Sequence, residues 1–104
     1  LPSRFEPWGL VVNEAMNFRL PLLVSSKAGC AVDLVEEGKN GFILDPSDTE
    51  SWTGAILKLA GNPPLRKAMG HVSQALIDRW SVAASVKGIT AAARLLKRPK
   101  MRPR

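Results

Sequence analysis

LVVNEAMNFRLPLLVS, residues Leu10 to Ser25, holds two kinds of periodicity side by side. Over Leu10–Phe18 the apolar side chains fall at 10, 11, 12, 15, 16 and 18, with polar Asn13, Glu14 and Asn17 between them. That spacing predicts a short, largely buried helix with one polar side. Arg19-Leu20-Pro21 ends it, because the ring of Pro21 disfavours helix at Leu20. Pro21–Ser25 then runs apolar without alternation, as a strand does when a parallel sheet buries both its faces.

The same alternation continues outward. Leu1–Gly9 carries Pro2, Pro7 and Gly9 and no helical period, and reads as the end of a strand with the loop after it. Downstream, Ser26–Gly29 is a loop and Cys30–Glu37 a second short helix closed by Gly38. Lys39-Asn40-Gly41 reads as a turn, with Gly41 suited to positive φ. Phe42-Ile43-Leu44 is another short strand, stopped by Asp45-Pro46. Ser47 or Asp48 can cap the helix that follows, in which Trp52, Ala55, Ile56 and Leu59 share a face. Gly61-Asn62-Pro63 separates it from a helix over Pro64–Trp80, with Leu65, Ala68, Met69, Val72, Leu76 and Ile77 on one side. Ser81 can cap a last helix that runs to about Lys97 through Val82, Val86, Ile89, Ala93 and Leu96; Gly88 within it costs about 1 kcal/mol relative to Ala.

Strands alternating with helices define an α/β fold: a partial Rossmann-like parallel sheet with flanking helices, followed by C-terminal helices. Two or three strands are few for such a sheet, whose faces and edges need cover. The strands that complete it are expected upstream of Leu1, and a start on Leu1-Pro2-Ser3-Arg4 fits an excised piece. Residues 1–97 are read as the domain and residues 98–104 as a basic, disordered tail.

Bulk properties narrow the function. The 104 residues are 45% hydrophobic and 23% charged, as in ordinary globular chains. Apolar runs such as Leu20–Val24 fall far short of the roughly 20 residues a membrane-crossing helix needs. One cysteine, Cys30, excludes an internal disulfide and fits a reducing, cytoplasmic setting. Of the net charge of +6, five basic residues, Lys97, Arg98, Lys100, Arg102 and Arg104, lie in the last eight positions, leaving about +1 on the body. Basicity in a Pro-interrupted terminus is poor support for nucleic-acid binding. One Cys and one His do not make a metal site.

The chemistry concentrates in Glu6-Pro7-Trp8-Gly9-Leu10-Val11-Val12-Asn13-Glu14-Ala15-Met16. This order places one carboxylate in a loop at a helix N-terminus and a second within the helix. Gly9 admits close approach to the backbone. The amides of Leu10, Val11 and Val12 point out of the first turn, where they and the helix dipole suit a phosphate. Carboxylates on either side of an anion site make sense for a ligand whose hydroxyl-rich parts flank a diphosphate.

On these residues the chain resembles the Glu-x7-Glu motif of the retaining GT-B glycosyltransferases of family 4, the group 1 family. Leu20-Pro21-Leu22-Leu23-Val24-Ser25 resembles the strand after the motif helix. Gly29-Cys30-Ala31-Val32-Asp33-Leu34-Val35 resembles the next helix start, and Gly38-Lys39-Asn40-Gly41-Phe42-Ile43-Leu44 the family's Gly-x-Asn-Gly turn and strand. The resemblance is close over roughly residues 1–60 and loose beyond. It implies a nucleoside diphosphate sugar as donor, transfer with retention, and no cofactor or metal. Glu6 matches the Glu that contacts the donor sugar near the reacting centre, and is the implied catalytic residue. Glu14 matches the Glu that binds the ribose hydroxyls, while Gly9, Leu10 and Val11 match backbone that meets sugar and diphosphate. The acceptor (a glycan, a lipid-linked sugar or a small molecule) and the family's Arg and Lys pair for the diphosphate belong to parts outside this chain, so the piece alone is expected to be inactive. Peripheral contact with the inner face of a membrane is a further expectation from the resemblance.

Two departures stand out. Asn17-Phe18-Arg19 replaces the family's frequent Ala-Cys-Gly, which removes a favoured helix C-cap. Val32 stands where a Pro is common, at a first helical turn where little depends on it. Other residues have plainer readings: Trp8 packs rather than stacks on a ligand, Trp52 and Trp80 fall at core spacing, and His71 is structural. Cys30 lacks a partner base for nucleophilic chemistry. A rival reading makes the chain a non-catalytic interaction module whose basic tail, Lys97–Arg104, binds anionic partners in a salt-dependent way.

Overall fold

The computed structural model describes residues 1–97, so the tail over 98–104 lies outside the described residues. Its elements, in chain order, are α1 (Leu10–Asn17), β1 (Leu22–Ser25), α2 (Ala31–Leu34), β2 (Gly41–Leu44), α3 (Thr49–Ala60), α4 (Pro63–Ile77), a 3-10 turn over Asp78–Trp80, and α5 (Val82–Leu96). β1 and β2 pair in parallel, Leu22 opposite Gly41 and Ser25 opposite Leu44. The α/β class and the parallel sheet read from the sequence are the observed ones.

The core forms where β1 meets α1, α2 and α4. Met16, Val24, Cys30 and Leu34 are fully enclosed, with Val12, Leu22, Ala28, Ala31, Val35 and Ile77 around them. α1 is wedged between the strand and α4, so its Val12 and Met16 face inward while Leu10, Val11 and Glu14 stay exposed. Burying a Leu, Met or Val side chain contributes about 1.5–3 kcal/mol, which is what fixes a helix too short to be stable alone.

Helix starts follow local chemistry. The Asp48 side chain accepts from the Ser51 amide at 3.1 Å, the Asn62 side chain from the Leu65 amide at 3.1 Å, and Ser81 Oγ from the Ala84 amide at 3.0 Å. The cap of α3 is thus Asp48 rather than Ser47. Pro63 occupies the first turn of α4, where a missing N–H costs nothing.

α1 ends in a Schellman motif. The Leu20 amide donates to Ala15 O at 3.3 Å and the Arg19 amide to Met16 O at 3.1 Å. Arg19 takes the left-handed position at φ 57°, where glycine is the usual occupant. The missing glycine therefore leaves the helix exit intact and places its strain on an arginine.

Several expectations are corrected. The second helix stops at Leu34, and Val35 is already extended at φ −106°, ψ 119°. The buried Asn40 side chain explains why: its Nδ2 donates to Leu34 O at 2.9 Å and its Oδ1 accepts from the Glu36 amide at 2.8 Å. These bonds take the groups that a longer helix would have used. Positive φ falls on Gly38 (77°), not Gly41. Gly41 must be glycine for another reason: a Cβ there would stand 1.9 Å from Leu22 O across the sheet. α4 ends at Ile77, before Trp80, and its buried face is Met69, Gly70, Ser73 and Ile77 rather than one centred on Ala68 and Val72. Ile56 is exposed. α5 has the expected start but buries none of its residues.

The outer edge of the sheet is partly blocked. Glu37 Oε2 accepts from the Ile43 amide at 2.8 Å, capping β2 on the side away from β1.

Candidate functional site

The loop before α1 is held by backbone bonds to the segment after β1. The Glu6 amide donates to Lys27 O at 3.3 Å, the Gly29 amide to Glu6 O at 2.9 Å, and the Cys30 amide to Trp8 O at 3.0 Å. Glu6 and Ala28 form a parallel bridge. Glu6 therefore sits on an anchored backbone with its side chain half-exposed. Gly9 is buried and begins α1 at φ 98°, ψ 61°. A Cβ there would lie 2.7 Å from Leu1 Cδ2 and 3.3 Å from Cys30 Sγ. Glycine is thus required by the turn itself, independently of any ligand.

At the amino end of α1 the Val12 amide donates to Gly9 O at 2.9 Å, so it is not free as the sequence reading expected. The amides of Leu10 and Val11 have no backbone acceptor among the described residues. No side chain caps them either. They form the two-amide, positive end of the helix dipole.

Glu14 lies just over one turn further along. It lines an open cleft of about 450 Å³ between α1 and the start of α5, with Leu10, Asn13, Asn17, Asp78 and Trp80. The structure brings Leu10 and Glu14 to this cleft; Glu6, Gly9 and Val11 lie outside its lining. The sequence reading missed Asp78 and Trp80 as neighbours of Glu14, because they arrive from more than sixty positions downstream with no local signal.

Trp8 is half-buried against the core, as expected, and its Nε1 donates to Asn13 Oδ1 at 2.8 Å. Its ring meets that of Trp80 at 5.6 Å between centroids, tilted by 43°. Trp80 itself is 48% exposed rather than core. Trp52 is half-buried, with Nε1 donating to Asp45 O at 2.9 Å. His71 is exposed on α4.

Cys30 is fully enclosed at the start of α2, with Sγ 3.9 Å from Gly9 O. Burial pushes its thiol up from the ordinary value, and the nearby Glu6 charge adds to the shift. That is the reverse of an activated thiolate. Among the described residues no group of three His, Cys, Asp or Glu could hold a metal ion. None of the described helices is long and apolar enough to cross a membrane.

A parallel α/β layer with a glycine-started helix is a Rossmann-like arrangement of the kind found in glycosyltransferases. The comparisons agree: residues 1–75 match the family described as Glycosyl transferases group 1, and the chain belongs to that family. It is 36% identical over 86 residues to an alpha-D-kanosaminyltransferase of Streptomyces kanamyceticus, covering 82% of this chain and 22% of that protein. It is 32% identical over 92 residues to the sulfoquinovosyl transferase SQD2 of Arabidopsis thaliana, covering 86% and 18%. Among solved structures, a sucrose-phosphate synthase from Thermosynechococcus elongatus superposes with a TM-score of 0.74 at 24% identity, over 93% of this chain and 25% of that one. The fold is therefore shared with a chain about four times as long. This chain spans a quarter or less of these relatives.

Proposed function

We propose that the chain supplies part of the donor site of a retaining glycosyltransferase of family 4, which transfers a sugar from a nucleoside diphosphate sugar. The observation that carries this reading is the amino end of α1, where two amides without a partner among the described residues, Leu10 and Val11, lie between the carboxylates of Glu6 and Glu14 along the chain. The membership of residues 1–75 in the group 1 family supports it.

In this reading Glu6 contacts the donor sugar's hydroxyls beside the reacting carbon. Glu14 accepts hydrogen bonds from the ribose hydroxyls. The Gly9–Val11 backbone meets the diphosphate, and its amides stabilise the charge that grows on the leaving group. Such dipoles are fixed before the reaction and need no reorganisation, so the site requires no metal ion or cofactor. The acceptor, whether glycan, lipid-linked sugar or small molecule, is chosen by parts of the protein outside this chain. The protein acts in the cytoplasm, with peripheral contact at a membrane where the acceptor is lipid-linked.

An amide NMR titration of the chain with UDP, GDP and their common sugar conjugates tests the reading. Selective shifts over Glu6–Glu14, abolished by Glu14→Ala, are the expected result. A well-dispersed spectrum in which millimolar nucleotide sugar moves none of these signals would overturn it.

A further inference from the structure

Trp80 is a large aromatic side chain with 48% of its surface exposed, and α5, the helix it precedes, buries none of its own residues beside it. Its place is nonetheless fixed. It closes the 3-10 turn that directly follows α4, and α4 packs along α1. Gln74 Nε2 donates to Asp78 Oδ1 at 2.8 Å across the junction of helix and turn. The one aromatic partner of Trp80 among the described residues is Trp8, 5.6 Å away between ring centroids.

Trp8 stands at a joint. Its carbonyl is tied to the segment after β1 by the Cys30 amide at 3.0 Å. The next residue, Gly9, turns the chain into α1 at φ 98°, ψ 61°. Glycine rotates more freely than any other residue, so the turn alone does not set where the Leu10 and Val11 amides point. Among the described residues one side-chain hydrogen bond spans this turn: Trp8 Nε1 donates to Asn13 Oδ1, one turn into α1, at 2.8 Å. The indole is therefore a strut between loop and helix. Trp80 bears on that indole from the side of the open cleft that Asn13, Asp78 and Trp80 line. Without this wall the Trp8 ring gains other rotamers, and the strut is released.

We propose, resting on the donor-site reading above, that Trp80 is a positioning residue of that site. It acts through Trp8: by seating the indole against Asn13 it locks the rotation at Gly9 and holds the Leu10 and Val11 amides aimed outward before any ligand arrives. Donors fixed in advance cost nothing to orient when a diphosphate binds, whereas a loose turn must be ordered at that moment and weakens binding by the same amount. The residue that holds the site in shape thus lies more than sixty positions beyond the motif, at the root of α5.

The test compares the full chain with its Trp80→Ala and Trp80→Phe variants by NMR. One reporter is exchange of the Trp8 indole N–H with water; the other is titration of the Leu10 and Val11 amides with UDP. The Trp52 indole N–H, bonded to Asp45 O at 2.9 Å, is the internal reference. In Trp80→Ala the Trp8 indole proton is expected to exchange at least about fivefold faster, and UDP to bind about five- to tenfold more weakly. Trp80→Phe restores an aromatic face and should stay within about twofold of the unsubstituted chain in both. Faster exchange with undiminished UDP affinity would make Trp80 a packing residue only, and overturn the proposal. Weaker UDP binding with unchanged exchange would make Trp80 a direct ligand contact, and overturn it as well. Should Trp80→Ala not fold, Asn13→Ala cuts the same strut from its other end with a residue that favours helix; unchanged UDP affinity there is equally decisive. An unsubstituted chain in which UDP moves neither amide removes the donor-site reading and the proposal together, whereas variants that bind UDP as well as it does remove the proposal alone.

Discussion

Arg19→Gly is expected to stabilise this chain. Arg19 occupies the C′ position of α1 at φ 57°, and both Schellman bonds close around it. A residue with a Cβ in the left-handed region carries about 1–2 kcal/mol of strain that glycine does not. Against this stands the greater freedom glycine has in the unfolded chain, about 0.5–1 kcal/mol. The Arg19 side chain is exposed and makes no hydrogen bond or ion pair among the described residues. Nothing is lost with it, and the net gain is about 1 kcal/mol. Urea unfolding followed by circular dichroism reads this as a higher midpoint at constant slope. A melting curve reads it as a rise of about 4 °C for a domain of this size. Arg19→Ala keeps the Cβ and removes the rest of the side chain, so it should leave the midpoint nearly where it was. If the Ala and Gly variants shift equally, backbone strain is not the cause. If Gly destabilises, the arginine is held by contacts that its exposure does not reveal.

Other substitutions probe other joints. Asn40→Ala removes both bonds of a fully buried amide and leaves Leu34 O and the Glu36 amide without partners; the expected cost is about 3 kcal/mol in the same urea assay. Gly9→Ala forces a Cβ into φ 98° and against Leu1, which should cost about 1–3 kcal/mol and disturb the amide signals of Leu10 and Val11. Burial holds the Cys30 thiol above its ordinary 9.0. Above that pH the unfolded chain releases its proton first, so stability present below about pH 9 is lost as pH rises through the folded value. Cys30→Ala is expected to flatten the alkaline limb of a pH–stability curve. Ser81→Ala removes the cap of α5, at about 1 kcal/mol of local helix stability. Because α5 buries nothing, that loss should register in the exchange rates of its own amides and hardly at all in the global midpoint.

Period and capping chemistry carried most of the fold. The apolar spacing of Leu10–Phe18, the uninterrupted Pro21–Ser25 run, and the Asp48 and Ser81 caps are local signals, and the elements they imply are present. What stayed hidden depends on contacts between distant residues. Nothing in Cys30–Glu37 says that Asn40 will reach back and end the helix at Leu34. Gly41 reads as a turn residue until Leu22 O is placed against it. The buried face of α4 is rotated toward Gly70 and Ser73 because α1 presses on that side. For the site, the motif placed Gly9 and Leu10 at the start of α1 and Glu14 within it. The hydrogen bond from the Val12 amide back to Gly9, and the approach of Asp78 and Trp80 to Glu14, needed the tertiary structure.

The contact between Trp8 and Trp80 gives this molecule an optical signature. Two indoles 5.6 Å apart and inclined at 43° can couple their strong transitions, so the pair should produce a split band in the far-ultraviolet circular dichroism that Trp52 alone cannot. One ring belongs to the loop between Glu6 and Gly9, the other to the root of α5. The loop and the helix root are therefore tied mechanically, and the band is a gauge of that tie. Any event that moves the loop, whether occupation of the amides beyond it or a change in the course of α5, would be visible as a change of shape in this band, without a label on the protein.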